Sequence, residues 1–185
     1  MAKNSAKDFL KRKNIEISGK RYGIDALSAM AQDLFCSLLV GTIINTIGTQ
    51  FGIGILTEPV ATINGVGYTV GGLCIAMTGP AMAVAIAYAL KAPNMVLFSL
   101  IPVGFAANGL GGAGGPLAVL FIAIIATEIG KVVAGETKID ILVTPIVTVG
   151  VGVALSAVLA PPIGALAMKV GNLLMWATEL QPFMM

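Results

Sequence analysis

The chain has 185 residues, 57% of them hydrophobic and 11% charged, with a mean hydropathy of +0.94. That is more apolar surface than a soluble domain of this size can bury, so a soluble globular protein is excluded and an integral membrane protein is expected. The formal net charge of +2 gives no footprint for a nucleic-acid partner, and the lack of any histidine excludes a histidine metal site, a histidine general base and a phosphohistidine on this polypeptide. No catalytic residue, metal or cofactor is expected.

The chain opens on a basic segment, residues 1–32. Lys3, Lys7, Lys11, Arg12, Lys13, Lys20 and Arg21 outnumber Asp8 and Glu16, so this end is expected to stay cytoplasmic. No cleavable signal peptide fits, because the basic stretch is long and Asp25 and Asp33 interrupt the apolar residues after it. The segment reads as a solvated tail in contact with anionic headgroups, and Tyr22 to Gln32 as interfacial.

Uncharged runs at Leu34 to Thr57, Pro59 to Leu90, Ala92 to Thr127 and Ile141 to Met168 then carry the spans of a five-span membrane domain, residues 33–160. The first span runs from about Asp33 to Leu56 and holds Cys36, Asn45 and a Gly48/Gly52 pair at helix-packing spacing. Glu58-Pro59 ends it, and Asn64-Gly65-Val66-Gly67 supplies a turn. Cys36 and Cys74 each stand alone in apolar sequence and read as small buried hydrophobes rather than a redox pair. The second span, about Tyr68 to Leu90, is kinked or broken by Gly79-Pro80.

As one helix, Ala92 to Thr127 would be roughly 50 Å long against a hydrocarbon core of roughly 30 Å, so it should fold back on itself. The glycines of Asn108-Gly-Leu-Gly-Gly-Ala-Gly-Gly-Pro116 are where a helix is cheapest to interrupt, which predicts helices of about Met95 to Leu110 and Pro116 to Val133. Glu128, Lys131 and Gly135 to Asp140 read as a cytoplasmic loop with local ion pairs or as a contact surface for a soluble partner. The tail, Lys91, and Lys131 with Lys138 then fall on one side, as the positive-inside rule asks.

A fifth span is expected from about Ile141 to Leu159, ended outright by Pro161-Pro162. Residues 163–181 read as a separate interfacial amphipathic helix anchored by Trp176. The apolar stop at Met185, with no polar tail, looks like an interrupted protein.

The basic tail, the five spans, the segment Lys138-Ile-Asp-Ile-Leu-Val-Thr-Pro145 and the amphipathic helix after it together resemble the amino-terminal half of EIIC. EIIC proteins are the membrane subunits of the bacterial phosphoenolpyruvate-dependent sugar phosphotransferase system; within them the likeness is to the stand-alone branch that includes the perfringolysin O regulator. The resemblance implies a multi-pass homodimer in the bacterial inner membrane, this chain being the scaffold and dimer-contact half. It also implies soluble phosphotransferase subunits as partners and a sugar as solute, gripped mainly by a second domain. A membrane sensor or regulator of the same architecture that transports nothing is the alternative. Polar groups in or beside spans are costly and often line a polar route, so Asn45, Glu58, Asn64, Asn108 and Glu128 are the candidate pathway residues.

Overall fold

The computed structural model describes residues 8–179, with side chains described to residue 176. The first seven residues of the expected basic segment, and residues 180–181 of the expected linker helix, lie outside the described residues. The protein is an all-α membrane helix bundle, with one small β-hairpin where only a turn was expected.

A helical turn at residues 8–12 precedes α1, which runs unbroken over Lys20–Phe51 with π-type turns at Lys20–Asp25 and Phe35–Leu39. It starts well before the expected Asp33. Tyr22, Ala26, Met30 and Leu34 recur every fourth residue and form one apolar face that packs on the core, so tertiary burial extends the helix into the segment expected to be interfacial. It ends at Gly52, whose φ of 63° supplies the left-handed cap.

The single turn α2 (Gly54–Thr57) leads to β1 (Ala61–Ile63) and β2 (Val66–Tyr68), paired antiparallel with Ile63 opposite Val66. Asn64 and Gly65 form the two-residue turn at φ 52° and 80°, values that suit an Asn-Gly hairpin. Helices α3 (Val70–Ala76) and α4 (Thr78–Ala89) come next, bent by 50° at Met77, just ahead of Gly79-Pro80.

Helices α5 (Asn94–Gly111) and α6 (Gly115–Val133) are joined by the tight turn Gly112–Gly114. They form a hairpin: a Cβ on Gly130 would lie 2.7 Å from Val96, and one on Gly111 would lie 3.0 Å from Ala118. In a straight helix Val96 and Gly130 would be roughly 50 Å apart.

Helix α7 spans Asp140–Glu179, about 60 Å, and passes through Pro145, Pro161 and Pro162. The break expected at Pro161-Pro162 is absent. Each proline removes one backbone hydrogen bond, but packing fixes both sides of the pair. Ala160 is fully buried, and Gly164 lies so close to Gly111 that a Cβ on Gly164 would have no room.

The core is built where α4, α5, α6 and the first half of α7 meet, around Met82, Ile86, Leu100, Val103, Val119 and Ile122. Small residues set the spacing, as expected where lipid is as apolar as leucine. Gly79 meets Gly104, Gly152 meets Val103, and Gly130 meets Thr148. Gly41 meets Gly71 where α1 and α3 touch, and of the expected Gly48/Gly52 pair Gly48 packs closely on Leu56 while Gly52 caps the helix. Cys74 is half-buried and Cys36 exposed, so the reading of Cys36 as buried is corrected: it faces outward from α1, where an apolar thiol can meet lipid.

Among the described residues three helices are long and apolar enough to cross a membrane: Lys20–Phe51, Asn94–Val133 taken as one stretch, and Asp140–Trp176. The bent pair Val70–Ala76 and Thr78–Ala89 makes a fourth if it is one span.

Candidate functional site

Two helix carboxy-termini at one end of the bundle leave carbonyls without intrahelical donors, and cations from the amino-terminal segment meet both. Arg21 donates from Nη2 to the Leu90 carbonyl at the end of α4, at 2.6 Å. Lys13 donates from Nζ to the Ala134 carbonyl at the end of α6. Between them Asn14, turned by a φ of 55°, is shared: its carbonyl accepts from Lys131 Nζ at 3.2 Å and its Oδ1 accepts from Arg21 Nη1 at 3.2 Å.

Burial gives these contacts their weight. Lys131 is 1% exposed and Arg21 6%. Lys131 pairs with Glu128 at 3.1 Å, and Arg21 with Glu16 at 3.6 Å. The local ion pair expected between Glu128 and Lys131 is present, but it is buried rather than a weak surface pair, because Asn14 of the segment 8–18 folds over the Lys131 ammonium. Outside the spans, Glu136 accepts from Lys13 at 2.6 Å with Arg12 at 3.7 Å, and this hydrogen bond and the two positive charges hold its carboxyl below the usual range.

The five candidate pathway residues fall in three places. Asn45 is half-buried, and its Oδ1 accepts from Thr69 Oγ1 at 2.9 Å while Thr69 caps α3 through the Gly72 amide at 3.0 Å. It lines a 290 Å³ cavity with Thr49, Leu56, Thr57 and Thr69. Glu58 comes just after this cavity in the chain and is exposed, and Asn64 is exposed at the hairpin turn. Asn108 is half-buried where α4, α5 and α6 cross, against Gly79 and Gly115. Glu128 lies at the basic end with Lys131. Asn108 is fourteen residues along α5 from Asn94, about 20 Å from that end.

Sequence reasoning missed Lys13, Asn14 and Arg21 as structural ligands. A lysine and an arginine flanking an asparagine in an otherwise polar tail were the only signal, and nothing local says which carbonyls they reach. Among the described residues no three Cys, Asp or Glu side chains gather to hold a metal.

A polytopic helix bundle with small-residue crossings and one end closed by a basic segment defines a multi-pass membrane protein. The family comparison narrows that class. Residues 24–185 match the family model described as Phosphotransferase system, EIIC, and the chain belongs to that family. It is a membrane component related to the phosphotransferase system. No curated protein and no solved structure matches the chain.

Proposed function

We propose that this chain is the scaffold and dimer-contact half of an EIIC-type sugar permease in the bacterial inner membrane. The observation that carries the reading is the family match over 24–185 together with a hairpin-centred bundle. Five spans result if the bent pair counts as one and Asn94–Val133 as two, since Val96 lies against Gly130. The amino terminus is cytoplasmic in this reading: Lys13, Lys91 and Lys131 share one end, which supports the positive-inside assignment. Residues 163–181 link to a solute-holding domain, and soluble phosphotransferase subunits donate the phosphoryl group, this chain carrying no covalent intermediate. Asn45, Glu58, Asn64, Asn108 and Glu128 are the groups proposed to border the solute route, Asn45 having the strongest case because it already lines a cavity.

The test is phosphoenolpyruvate-dependent sugar uptake in sealed vesicles from cells with and without the protein. Loss of uptake on deletion is expected. Unchanged uptake with altered transcription overturns the permease reading and leaves the sensor or regulator.

A further inference from the structure

The basic end frames an open cavity of about 470 Å³, lined by Arg12, Lys13, Asn14, Lys91, Lys131 and Glu136 among others. We propose that it binds a phosphate group, supplied by an anionic phospholipid headgroup or by phosphate from solution. The proposal does not rest on the permease reading.

Charge is the first argument. Four cations line the cavity against Glu136, and after Glu128 is set against Lys131 two positive charges remain in excess. Lys91 makes no ion pair or side-chain hydrogen bond among the described residues, and Arg12 reaches Glu136 only at 3.7 Å.

Donor accounting is the second. An ammonium carries three protons. Lys131 spends two, on Glu128 and the Asn14 carbonyl, and Lys13 spends two, on Ala134 and Glu136. Each retains one donor, and Lys131 holds its own in a side chain that is 1% exposed and lines the cavity. A guanidinium fork with ammonium groups around it suits the several oxygens of a phosphate.

The helix end is the third. Pro93, also in the lining, precedes α5, an 18-residue helix with no side-chain cap and no acidic residue in its first turn. The positive dipole end of α5 therefore lies on the cavity side, while the carboxy-terminal carbonyls of α4 and α6 at the same end are already met by Arg21 and Lys13.

Lys91 gives the test a variant that the backbone tolerates. It takes the left-handed position after α4 at φ 55°, with its amide on the Tyr88 carbonyl at 2.9 Å and that of Ala92 on Ala87 at 3.0 Å. Glycine suits that position better, so Lys91→Gly removes the charge while relieving the backbone. The experiment compares the full chain in detergent with Lys91→Gly, Arg12→Gln, their double variant and, as a control that removes one charge outside the lining and is matched to each single variant, Lys138→Gln. Phosphatidylglycerol and phosphatidylcholine adducts are counted by native mass spectrometry, and thermal shifts are read with inorganic phosphate against chloride at equal ionic strength.

A preference for phosphatidylglycerol that falls about thirtyfold in the double variant Lys91→Gly/Arg12→Gln, but not in Lys138→Gln, supports the site with lipid as source. A phosphate-specific thermal shift lost in the same variant supports it with solution phosphate as source. Equal binding of both probes by wild type and double variant, or an equal loss in Lys138→Gln, overturns it.

Discussion

The hairpin α5–α6 and the flanking helices α1 and α7 are all apolar enough to cross a membrane, yet they are packed very differently. In the most apolar window of Asn94–Val133 half of the residues are buried (50%), against 17% in Lys20–Phe51 and 22% in Asp140–Trp176. The hairpin spends its hydrophobic residues on neighbours within the chain. The flanks turn Phe35, Leu38, Leu39 and Ile43 on α1, and Leu166, Leu173, Leu174 and Trp176 on α7, outward. A membrane helix is thus not stabilised by being apolar, since lipid accepts the same surface; it is held where glycine lets backbones touch and where polar groups find partners.

The largest effect should come from the buried charge at the base of the hairpin. Lys131→Met leaves Glu128 half-buried without its counter-ion, and breaking such a pair costs about 3–5 kcal/mol, read as a drop in thermal unfolding temperature. The double variant Lys131→Met/Glu128→Leu should recover most of that loss. Next, Gly104→Leu places a side chain on the Gly79 backbone and Ala83 and should cost about 1–3 kcal/mol, whereas Gly171→Leu, with nothing within 4 Å, should change stability little. Equal losses from Gly104→Leu and Gly171→Leu would erase the contrast between the two regions.

The flank predicts a smaller effect. Leu39→Ala on the outer face of α1 should shift monomer stability by no more than about 0.5 kcal/mol. A larger loss that depends on protein concentration would show that this face meets a second copy, sharpening the proposed dimer contact. The smallest effect is at Glu136. Its carboxyl is held below the usual range by Lys13, so the stabilisation it gives is present above its unfolded value and lost as pH falls through the lower folded value. Glu136→Gln should remove that acid-side dependence, seen as proteolytic release of residues 8–18 at neutral pH as well as in acid.

The hairpin was legible because an uncharged run too long for one crossing contains a block of glycine, and both helix ends fell within a residue or two of where the pattern put them. The kink at Gly79-Pro80 and the Asn64-Gly65 turn were legible for the same local reasons. The end of the fifth span was not: Pro161-Pro162 reads as a stop, and the packing that surrounds the pair, with Gly164 against Gly111 over fifty residues away, is invisible to local sequence. The early start of α1 was written in the four-residue spacing of Tyr22, Ala26, Met30 and Leu34, but hidden by the charge around it. The strap of residues 8–18 was not legible at all, since Lys13 reaches a carbonyl 121 residues on and no periodicity records such a contact.

The architecture is tested most directly by the sidedness of its turns. In a Cys36→Ser/Cys74→Ser background, single cysteines at Lys91, Gly135, Asn64 and Gly112 would be labelled with a membrane-impermeant maleimide in intact cells and in inverted vesicles. A hairpin-centred, five-span chain predicts labelling of positions 64 and 112 from outside, and of 91 and 135 only from the cytoplasmic side. Labelling of 91 and 135 from opposite sides would contradict the hairpin, and with it the basic end and the scaffold built on it.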